Sequence, residues 1–339
     1  MILKKISSNE AGQRFDKYLK KLLKEAPDNF IYKMLRKKNI VLNGKKADGG
    51  EKLSIDDEVK FFLADETFEK FCGKIENCSF SFNIVLYEQA YYKMRDLDIV
   101  YEDNNILIVN KPAGILSQKS KSEEISVNEW LIGYLLRKGF VTKESLATFR
   151  PSVCNRLDRN TSGMVVCGKT LAGSQYLSRI IRDKSLKKYY YCLVSGEFSM
   201  AKRVTGYLYK DSIKNKVTIY QSKNNIPEAF QKEAVFIDTA YHTVRIANNI
   251  TQLEVQLFTG KPHQIRAQLA AFGYPIIGDC KYGEAKINQL YAQKGVKSQL
   301  LHAHKLIFPV SQCEDFAQVS GSILECPAPK IFSKLMREE

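Results

Sequence analysis

The sequence predicts an α+β fold in which a mixed, mainly antiparallel sheet is flanked by helices. Residues 189–258 form a series of strand patterns separated by short turns, and short turns join antiparallel neighbours. From Leu253 to Leu257 every second residue is apolar, which is typical of a strand with one buried face. Ser126 and Glu129 have the spacing of a helix capping box and predict the start of a helix.

The composition is that of a basic globular protein. Of the 339 residues, 44% are hydrophobic and 26% are charged, which is ordinary, but the net charge is +15 and the pI is about 9.3. Such a charge favours RNA, DNA or an anionic membrane surface as a partner. No window has the roughly 18 apolar residues that span a bilayer, and the first residues lack the apolar core of a signal peptide. We therefore expect a cytoplasmic protein.

The cysteines and histidines give no sign of a metal site. The eight cysteines are scattered without a Cys-x-x-Cys pair, and the four histidines have no ligand spacing. We therefore predict no metal site.

Residues 11–64 predict a compact basic domain at the start of the chain. Two amphipathic helices precede a short strand, the Asn43-Gly44 turn and a last strand. The second helix presents Lys33, Arg36 and Lys37 on one face, because residues three and four apart point the same way. Such a face fits RNA phosphates, and an ordinary solvated lysine face has the same pattern.

This unit resembles the S4 RNA-binding domain (αL-type). The resemblance is carried by Arg14-Phe15-Asp16, Met34-Leu35-Arg36-Lys37 and Ile40-Val41-Leu42-Asn43-Gly44. It implies that Arg14, Lys33, Arg36 and Lys37 bind RNA. Lys38 stands where the domain usually has glycine, so we expect a slightly different turn at that position.

Residues 65–97 predict a linker, and residues 98–330 predict a larger second domain. The linker shows only weak periodicity and is expected to be partly structured. The second domain opens with a β-hairpin pattern at residues 99–110. A second helix is predicted at about 171–183.

The most distinctive stretch of the chain is Arg156-Leu157-Asp158-Arg159, followed by Thr161-Ser162-Gly163. Cationic neighbours keep an aspartate ionised, and an ionised aspartate can act as a nucleophile. Thr161-Ser162-Gly163 predicts a tight turn, and residues 164–167 predict a buried strand. A salt-bridged turn without chemistry is the structural alternative.

A run of tyrosines follows at Lys188-Tyr189-Tyr190-Tyr191. Consecutive residues of a strand alternate between its faces, so Tyr190 faces opposite to its two neighbours. A tyrosine beside lysines can stack on a base or take part in proton transfer, and a plain core tyrosine is the alternative.

Pro262 and Gly273 frame a predicted helix, with proline at the first helical position and glycine past the end. Arg266 lies near the N-terminal end of this helix, where the macrodipole disfavours a cation by roughly 0.3–1 kcal/mol. A cation at that position suggests a carboxylate partner, and Asp158 is a candidate.

Together these motifs, in this order, resemble those of the RluA family of RNA pseudouridine synthases. The resemblance spans about residues 98–330, and the S4-like unit ahead of it matches the architecture of the RluC and RluD branches, with RluC the closest. The residues that carry it are Arg156 to Gly163, Lys188-Tyr189-Tyr190 with Gly196, His263-Gln264-Ile265-Arg266 with Gly278-Asp279, Ile99 to Gly114, and Leu301-His302-Ala303.

The resemblance implies that the protein isomerises uridine to pseudouridine in RNA without a metal or cofactor. Asp158 would be the nucleophile and would attack C1′ of the ribose or C6 of the uracil. Tyr190 would pack against the flipped base and remove the final proton, and Arg266 would pair with Asp158. Arg156 would fill the gap left by the flipped nucleotide, and Arg159 would contact the RNA.

Similarity to the RluC branch predicts 23S large-subunit ribosomal RNA as the substrate of a monomeric enzyme. Transfer RNA or another ribosomal site is the alternative substrate, and a non-catalytic S4-containing protein that binds RNA or assists ribosome assembly is the alternative class. The presence of Asp158, Tyr190 and Arg266 favours the enzyme. Three positions depart from the family pattern and are expected to alter RNA contacts only: Asn155, Lys261 and Gln268.

Overall fold

The computed structural model describes residues 1–72, 78–198, 203–211 and 216–337, with residues 78–83 described through their backbone only. The first part of the chain forms a small α/β unit around its own apolar core. Its elements are β1 (Ile2–Lys5), α1 (Phe15–Leu22), α2 (Asp28–Arg36), β2 (Ile40–Leu42), β3 (Lys45–Lys46), β4 (Glu58–Phe61) and α3 (Asp65–Cys72).

The sheet of this N-terminal unit has four strands in the order β1-β4-β2-β3. Strand β1 lies outside the predicted range of 11–64, yet Ile2 pairs with Phe61 of β4. The sequence of β1, Ile-Leu-Lys-Lys, does not alternate between apolar and polar residues, so this strand was not predicted. Lys38, where a glycine was expected, adopts a positive φ of 59°. The turn after α2 therefore keeps the left-handed conformation that glycine favours.

The predicted linker at 65–97 is largely helical. Helix α3 packs Phe68 onto the N-terminal core, with its ring 5.0 Å from that of Phe61. Helix α4 (Cys78–Lys93) instead packs on α5 (Val127–Arg137) of the larger body. A Cβ on Gly133 of α5 would lie 2.2 Å from the carbonyl oxygen of Tyr87, so the two helices are in close contact. Val85 and Tyr92 of α4 are exposed although they are largely apolar, which weakens the helical periodicity of the segment. Residues 73–77 of the segment lie outside the described residues.

The larger body is built on one sheet of eleven strands, which confirms the predicted α+β class. The strand order is β11-β10-β12-β13-β9-β14-β8-β6-β5, with β7 beside β8 and β15 beside β14. Besides α4 and α5, its elements are β5 (Asp98–Glu102), β6 (Ile106–Lys111), α6 (Ser145–Thr148), β7 (Ser152–Val153), β8 (Ser162–Gly168), α7 (Leu171–Arg182), β9 (Lys187–Ser195), β10 (Arg203–Asp211), β11 (Lys216–Tyr220), β12 (Val235–Ala247), β13 (Ile250–Leu257), α8 (Gln264–Ala271), α9 (Ala285–Gln293), β14 (Leu301–Ile307), β15 (Ile323–Glu325) and α10 (Lys330–Leu335).

The strand pairings are antiparallel except between β14 and β8, which are parallel. The predicted hairpin of β5 and β6 is present. Within the predicted series of strands, residues 234–238 and 241–247 have two separate strand patterns, but they form the single strand β12, because the residues between them also pair with β10 and β13. The chain bulges at Thr243–Arg245 instead of turning.

Helices cover both faces of the central strands. In β6, Leu107 and Val109 pack in the core with α5, whereas Ile106 and Ile108 pack in the core with α7. The cap of α5 is at Ser126, as predicted, where the hydroxyl accepts a hydrogen bond from the N–H of Asn128. All seven residues of β8 are buried, so the loop before β8 is held by a rigid strand.

The N-terminal unit is joined to the body by side-chain hydrogen bonds. The Thr148 hydroxyl donates to the buried Glu10 carboxylate at 2.7 Å, and the Asn9 amide donates to the carbonyl oxygen of Phe140 at 3.2 Å. These contacts place the unit against α6 and the end of α5.

Candidate active site

Asp158 lies in the loop between β7 and β8, at one end of the body sheet. The N–H of Thr161 donates to the Asp158 carbonyl oxygen at 3.0 Å and closes a turn. The turn therefore spans residues 158–161, and the prediction of a turn at Thr161-Ser162-Gly163 was wrong, because Ser162 and Gly163 already belong to β8. A Cβ on Gly163 would lie 2.3 Å from the carbonyl oxygen of Ala303, so this glycine permits the close approach of β14.

Arg266 is the cation that faces Asp158. Its Nη1 donates to Oδ2 of Asp158 at 2.6 Å, across 108 residues of sequence. Arg266 lies in the first turn of α8, as predicted, although the helix begins at Gln264 and Pro262 is not part of it. His263, the residue before the helix, adopts the left-handed conformation with a φ of 54°.

The two arginines next to Asp158 in sequence do not pair with it. Arg159 donates to Glu124 at 2.9 Å, and its side chain is more than half exposed. Arg156 is exposed and lines the cleft beside Asp158, without an ion pair among the described residues. Neither neighbour therefore forms an ion pair with Asp158. Arg159 pairs with Glu124, and Arg156 lines the cleft without a carboxylate partner among the described residues.

A second carboxylate holds the other side of Arg266. Asp279 accepts from Nε at 2.7 Å and from Nη2 at 2.9 Å, and Asp279 is fully buried. Burial alone would raise the pKa of Asp279, but Arg266 and the N–H groups of Lys281 and Tyr282 lower it below the ordinary value. The sequence contained Asp279 only as part of a Gly-Asp pair and gave no sign of this contact.

Tyr190 lies on β9 and lines the same cleft as Asp158. It is buried and faces opposite to Tyr189 and Tyr191, as the strand alternation predicted. Burial and the nearby charge of Asp158 raise the pKa of Tyr190 well above its ordinary value. The Tyr190 hydroxyl therefore remains protonated at neutral pH.

His263 also lines the cleft, and Tyr282 contacts its ring. Nε2 of His263 lies 4.0 Å from Oδ2 of Asp158, and Nδ1 lies 2.9 Å from the hydroxyl of Tyr282. That hydroxyl accepts the N–H of Val217 in β11 at 3.0 Å. Burial lowers the pKa of His263, although the charge of Asp158 opposes this shift.

Lys111 is completely buried behind the loop that carries Asp158. Its ammonium donates to the carbonyl oxygens of Pro112, Ile115 and Arg159 at 3.1, 2.8 and 3.0 Å. Burial lowers the pKa of Lys111 to about 7, and Asp158 opposes this shift. Three carbonyl acceptors match the three N–H donors of an ammonium, so we assign the charged form.

Two of the three departures from the family pattern have structural roles. Asn155 accepts the N–H of Val166 at 2.8 Å and donates to the carbonyl oxygen of Met164 at 3.3 Å. Gln268 is a fully buried residue of α8, and its Oε1 accepts a hydrogen bond from the Tyr241 hydroxyl at 2.8 Å. Only Lys261 is exposed and lines the cleft, where it can contact RNA.

The other predicted RNA contacts lie in the N-terminal unit. Arg14 donates to both carboxylate oxygens of Asp16, at 3.1 and 2.9 Å, so its guanidinium is already paired with a carboxylate. Lys33, Arg36 and Lys37 are exposed together at the end of α2 and have no ion pair among the described residues.

The described ranges contain neither a candidate metal site nor a candidate membrane span. No group of three or more His, Cys, Asp or Glu side chains is arranged there to hold a metal ion. None of the helices in those ranges is both long enough and apolar enough to cross a bilayer.

Comparison with known proteins identifies the family. Residues 105–271, which include Asp158, Tyr190 and Arg266, match the family described as RNA pseudouridylate synthase. An uncharacterized RNA pseudouridine synthase of Mycoplasma capricolum subsp. capricolum is 30% identical over 287 residues, covering 84% of this chain and 85% of that protein. The ribosomal large subunit pseudouridine synthase C of Vibrio vulnificus is 28% identical over 326 residues, covering 94% of this chain and 92% of that protein.

A solved structure shows the same fold. Human RNA pseudouridylate synthase domain containing 4 aligns with a TM-score of 0.55 and 20% identity, over 76% of this chain and 96% of that one. The chain belongs to the RluA family of RNA pseudouridine synthases, enzymes that isomerise uridine in RNA to pseudouridine.

Proposed function

We propose that this enzyme modifies specific uridines of 23S large-subunit ribosomal RNA, as a monomer in the cytoplasm. Its similarity to the Vibrio vulnificus protein, over 92% of that protein's length, supports a ribosomal substrate. The net charge of +15 and the S4-like N-terminal unit support RNA contacts beyond the cleft.

The observation that carries the proposed chemistry is the contact between Arg266 and Asp158. A carboxylate that lines a cleft and is held in place by a fixed guanidinium is positioned for nucleophilic attack. In the reaction, Asp158 attacks C1′ of the ribose or C6 of the uracil, and the N1–C1′ bond breaks. The uracil then rotates, C5 bonds to C1′, and the bond between Asp158 and the substrate breaks, which restores the carboxylate. C5 loses its proton and N1 gains one, so the product is an isomer of the substrate.

Tyr190 and Arg156 act on the flipped nucleotide. The buried ring of Tyr190 beside Asp158 supports packing against the uracil. Burial raises the pKa of Tyr190 and so disfavours the phenolate, which is the form that would remove the final proton. The variant Tyr190→Phe keeps the ring, and a large loss of rate would assign the hydroxyl to proton transfer.

Arg156 is free to enter the helix that the uridine leaves. It is exposed at the cleft and has no ion pair among the residues described. Flipping a base costs a few kcal/mol, and a guanidinium can stack in the vacated position. Arg159, paired with Glu124, contributes to the basic rim of the site.

The test is to incubate the protein with bulk ribosomal and transfer RNA from a synthase-deficient strain and to map new pseudouridines. We expect product in 23S RNA with the wild type and none with Asp158→Asn, which preserves the shape of the side chain. Product only in transfer RNA would contradict the proposed target, and product from neither pool would contradict the activity on free RNA. A fully active Asp158→Asn variant would rule out the nucleophile.

A further inference from the structure

We propose that His263 recognises the substrate, with its Nε2–H donating a hydrogen bond to a carbonyl oxygen of the flipped uracil. The inference depends on the proposed function, because it requires a uridine beside Asp158. The sequence motif that contains His263 did not by itself indicate a role for this residue.

The position of His263 points its outer nitrogen into the cleft. His263 lines the cleft with Asp158 and Tyr190. Its side chain is 13% exposed, and Nε2 lies 4.0 Å from the Asp158 carboxylate. A uracil placed for attack by Asp158 and packed on Tyr190 would lie within reach of this nitrogen.

The backbone at His263 adopts an uncommon conformation. With φ 54° and ψ 16°, it lies in the left-handed region, which few residues other than glycine adopt, although histidine, asparagine and aspartate enter it more often than the rest. Unfavourable backbone conformations that surrounding structure maintains are concentrated at functional sites. Here the conformation turns the imidazole toward Asp158 at the residue before α8.

The hydrogen bonds around the ring determine which nitrogen carries the hydrogen. The backbone N–H of Val217 can only donate, so the oxygen of Tyr282 accepts from it at 3.0 Å. The hydroxyl hydrogen of Tyr282 then has Nδ1 of His263, at 2.9 Å, as its acceptor. Nδ1 therefore carries the lone pair, and the hydrogen of the neutral ring is on Nε2.

The charge of Asp158 favours the same tautomer. A lone pair on Nε2 would face the negative carboxylate, whereas an N–H is attracted to it. Two independent groups, Tyr282 on one side of the ring and Asp158 on the other, thus orient an N–H donor into the cleft. Burial lowers the pKa of His263 and keeps the ring neutral at neutral pH.

A uracil carbonyl matches this donor. Uracil presents two carbonyl oxygens, O2 and O4. Both gain negative charge when the N1–C1′ bond breaks, whereas attack at C6 places the charge on O4. A donor that is already oriented toward such an oxygen stabilises the transition state more than the ground state. His263 therefore contributes to kcat as well as to the selection of uracil.

The first experiment compares two substitutions of His263. Asparagine tolerates the left-handed backbone but is too short to place a donor at the position of Nε2, whereas glutamine can place one there. We expect His263→Asn to fold with an unchanged Tm and to lose about 10–100-fold in kcat, and His263→Gln to retain most of the rate. Equal rates for wild type and His263→Asn would overturn the proposal.

The second experiment tests the contact directly with thio-substituted RNA. The substrate carries 2-thiouridine or 4-thiouridine at the mapped position, since sulfur accepts hydrogen bonds poorly. We expect one of the two substitutions to slow the wild type by about 10-fold, which identifies O2 or O4 as the acceptor. The His263→Asn variant should react with that thio-substituted RNA as fast as it reacts with unmodified RNA. If the variant responds to both substitutions as the wild type does, His263 does not contact a carbonyl.

A third experiment measures which ring nitrogen of His263 carries the hydrogen. In ¹⁵N NMR spectra of wild type, His263 should carry its hydrogen on Nε2, and Tyr282→Phe should weaken this preference. A wild-type hydrogen on Nδ1 would overturn the assignment. A wild type that is inactive on unmodified RNA would instead contradict the proposed function, so the two failures are distinguishable.

Discussion

At the scale of single residues, the site depends on a row of three charged groups, Asp158, Arg266 and Asp279. Arg266 uses Nε and Nη2 for Asp279 and leaves Nη1 for Asp158. Two fixed contacts leave the guanidinium little freedom to rotate, so the position of Asp158 follows from that of Asp279. Asp279 does not reach the substrate and acts as a positioning residue.

Asp279→Asn should impair the reaction without removing any group that touches the substrate. It removes the charge that balances buried Arg266, and breaking such a pair costs about 3–5 kcal/mol of unfolding free energy. We expect kcat to fall at least about 10-fold in single-turnover assays, because Arg266 no longer holds Asp158 in one orientation.

A matched control is Glu254→Gln, which removes a carboxylate that pairs with Lys305 at 2.6 Å away from the cleft. This variant should lower the free energy of unfolding and leave kcat unchanged. If Asp279→Asn behaves like the control, Asp279 has only a structural role.

At the scale of elements, the parallel junction of β8 and β14 supports the catalytic loop. Gly163 pairs with Ala303, and Tyr190 pairs with Ala303 from the other side of β14. The loop of Asp158 and the strand of Tyr190 are thus positioned by the same residue of β14. A change in this junction would move both groups.

Gly163→Ala should destabilise the fold by about 2–3 kcal/mol, as measured by chemical denaturation. The φ of Gly163 is +114°, and a Cβ would overlap the carbonyl oxygen of Ala303 at 2.3 Å. Gly139→Ala serves as the control, since Gly139 also has a positive φ, of +67°, but nothing lies within 4 Å of its Cβ position. Gly139→Ala should lower the free energy of unfolding by only about 1 kcal/mol. Equal losses in the two variants would contradict the close approach of Gly163 to Ala303.

At the scale of the whole molecule, the positive charge is distributed over two surfaces. One surrounds the catalytic cleft, where Arg156 and Lys261 are exposed. The other is the α2 face of Lys33, Arg36 and Lys37, on a unit attached to the body through Glu10 and Thr148. A long RNA can contact both, so affinity should depend on the N-terminal unit and chemistry on the cleft.

Replacing Lys33, Arg36 and Lys37 with glutamine should weaken RNA binding and reduce its salt dependence. Each lost phosphate contact lowers the slope of log K against log[salt] by about 0.7–0.9. The control replaces the exposed Lys216, Lys223 and Lys232 with glutamine, which changes the net charge equally. Titration of both variants against ribosomal RNA at several salt concentrations measures the difference, and equal slopes would contradict an α2 binding face.

Stability should fall in mild acid because of buried histidines. Burial lowers the pKa of His302 to about 4, and its ring lies between the Ser162 hydroxyl and the Cys326 carbonyl oxygen. Below the ordinary value of 6.5 the unfolded chain binds a proton that the folded chain does not. Stability is therefore full above pH 6.5 and declines between pH 6.5 and 4, by about 3 kcal/mol for this group.

Denaturation of the wild type and of His302→Gln at pH 7.5 and 4.5 measures this contribution. The variant should be less stable at pH 7.5, and its free energy of unfolding should change less with pH. An equal dependence on pH in both proteins would show that His302 does not titrate as described.

Local patterns in the sequence determined much of this protein. Strand alternation and helix periodicity report which face of an element is buried, so the α+β class, the orientation of Tyr190 and the place of Arg266 near a helix start were all predicted. The order of three motifs indicated the family, and the family comparison confirmed it.

Only the tertiary structure decided which of these faces meet. Asp158 pairs with Arg266, 108 residues away, and not with the adjacent Arg156 or Arg159. Asp279 was unremarkable as a sequence position, and the weakly periodic 65–97 segment contains α4, packed on α5. Periodicity records burial along one element, whereas ion pairs and packing partners depend on distances between elements far apart in the chain.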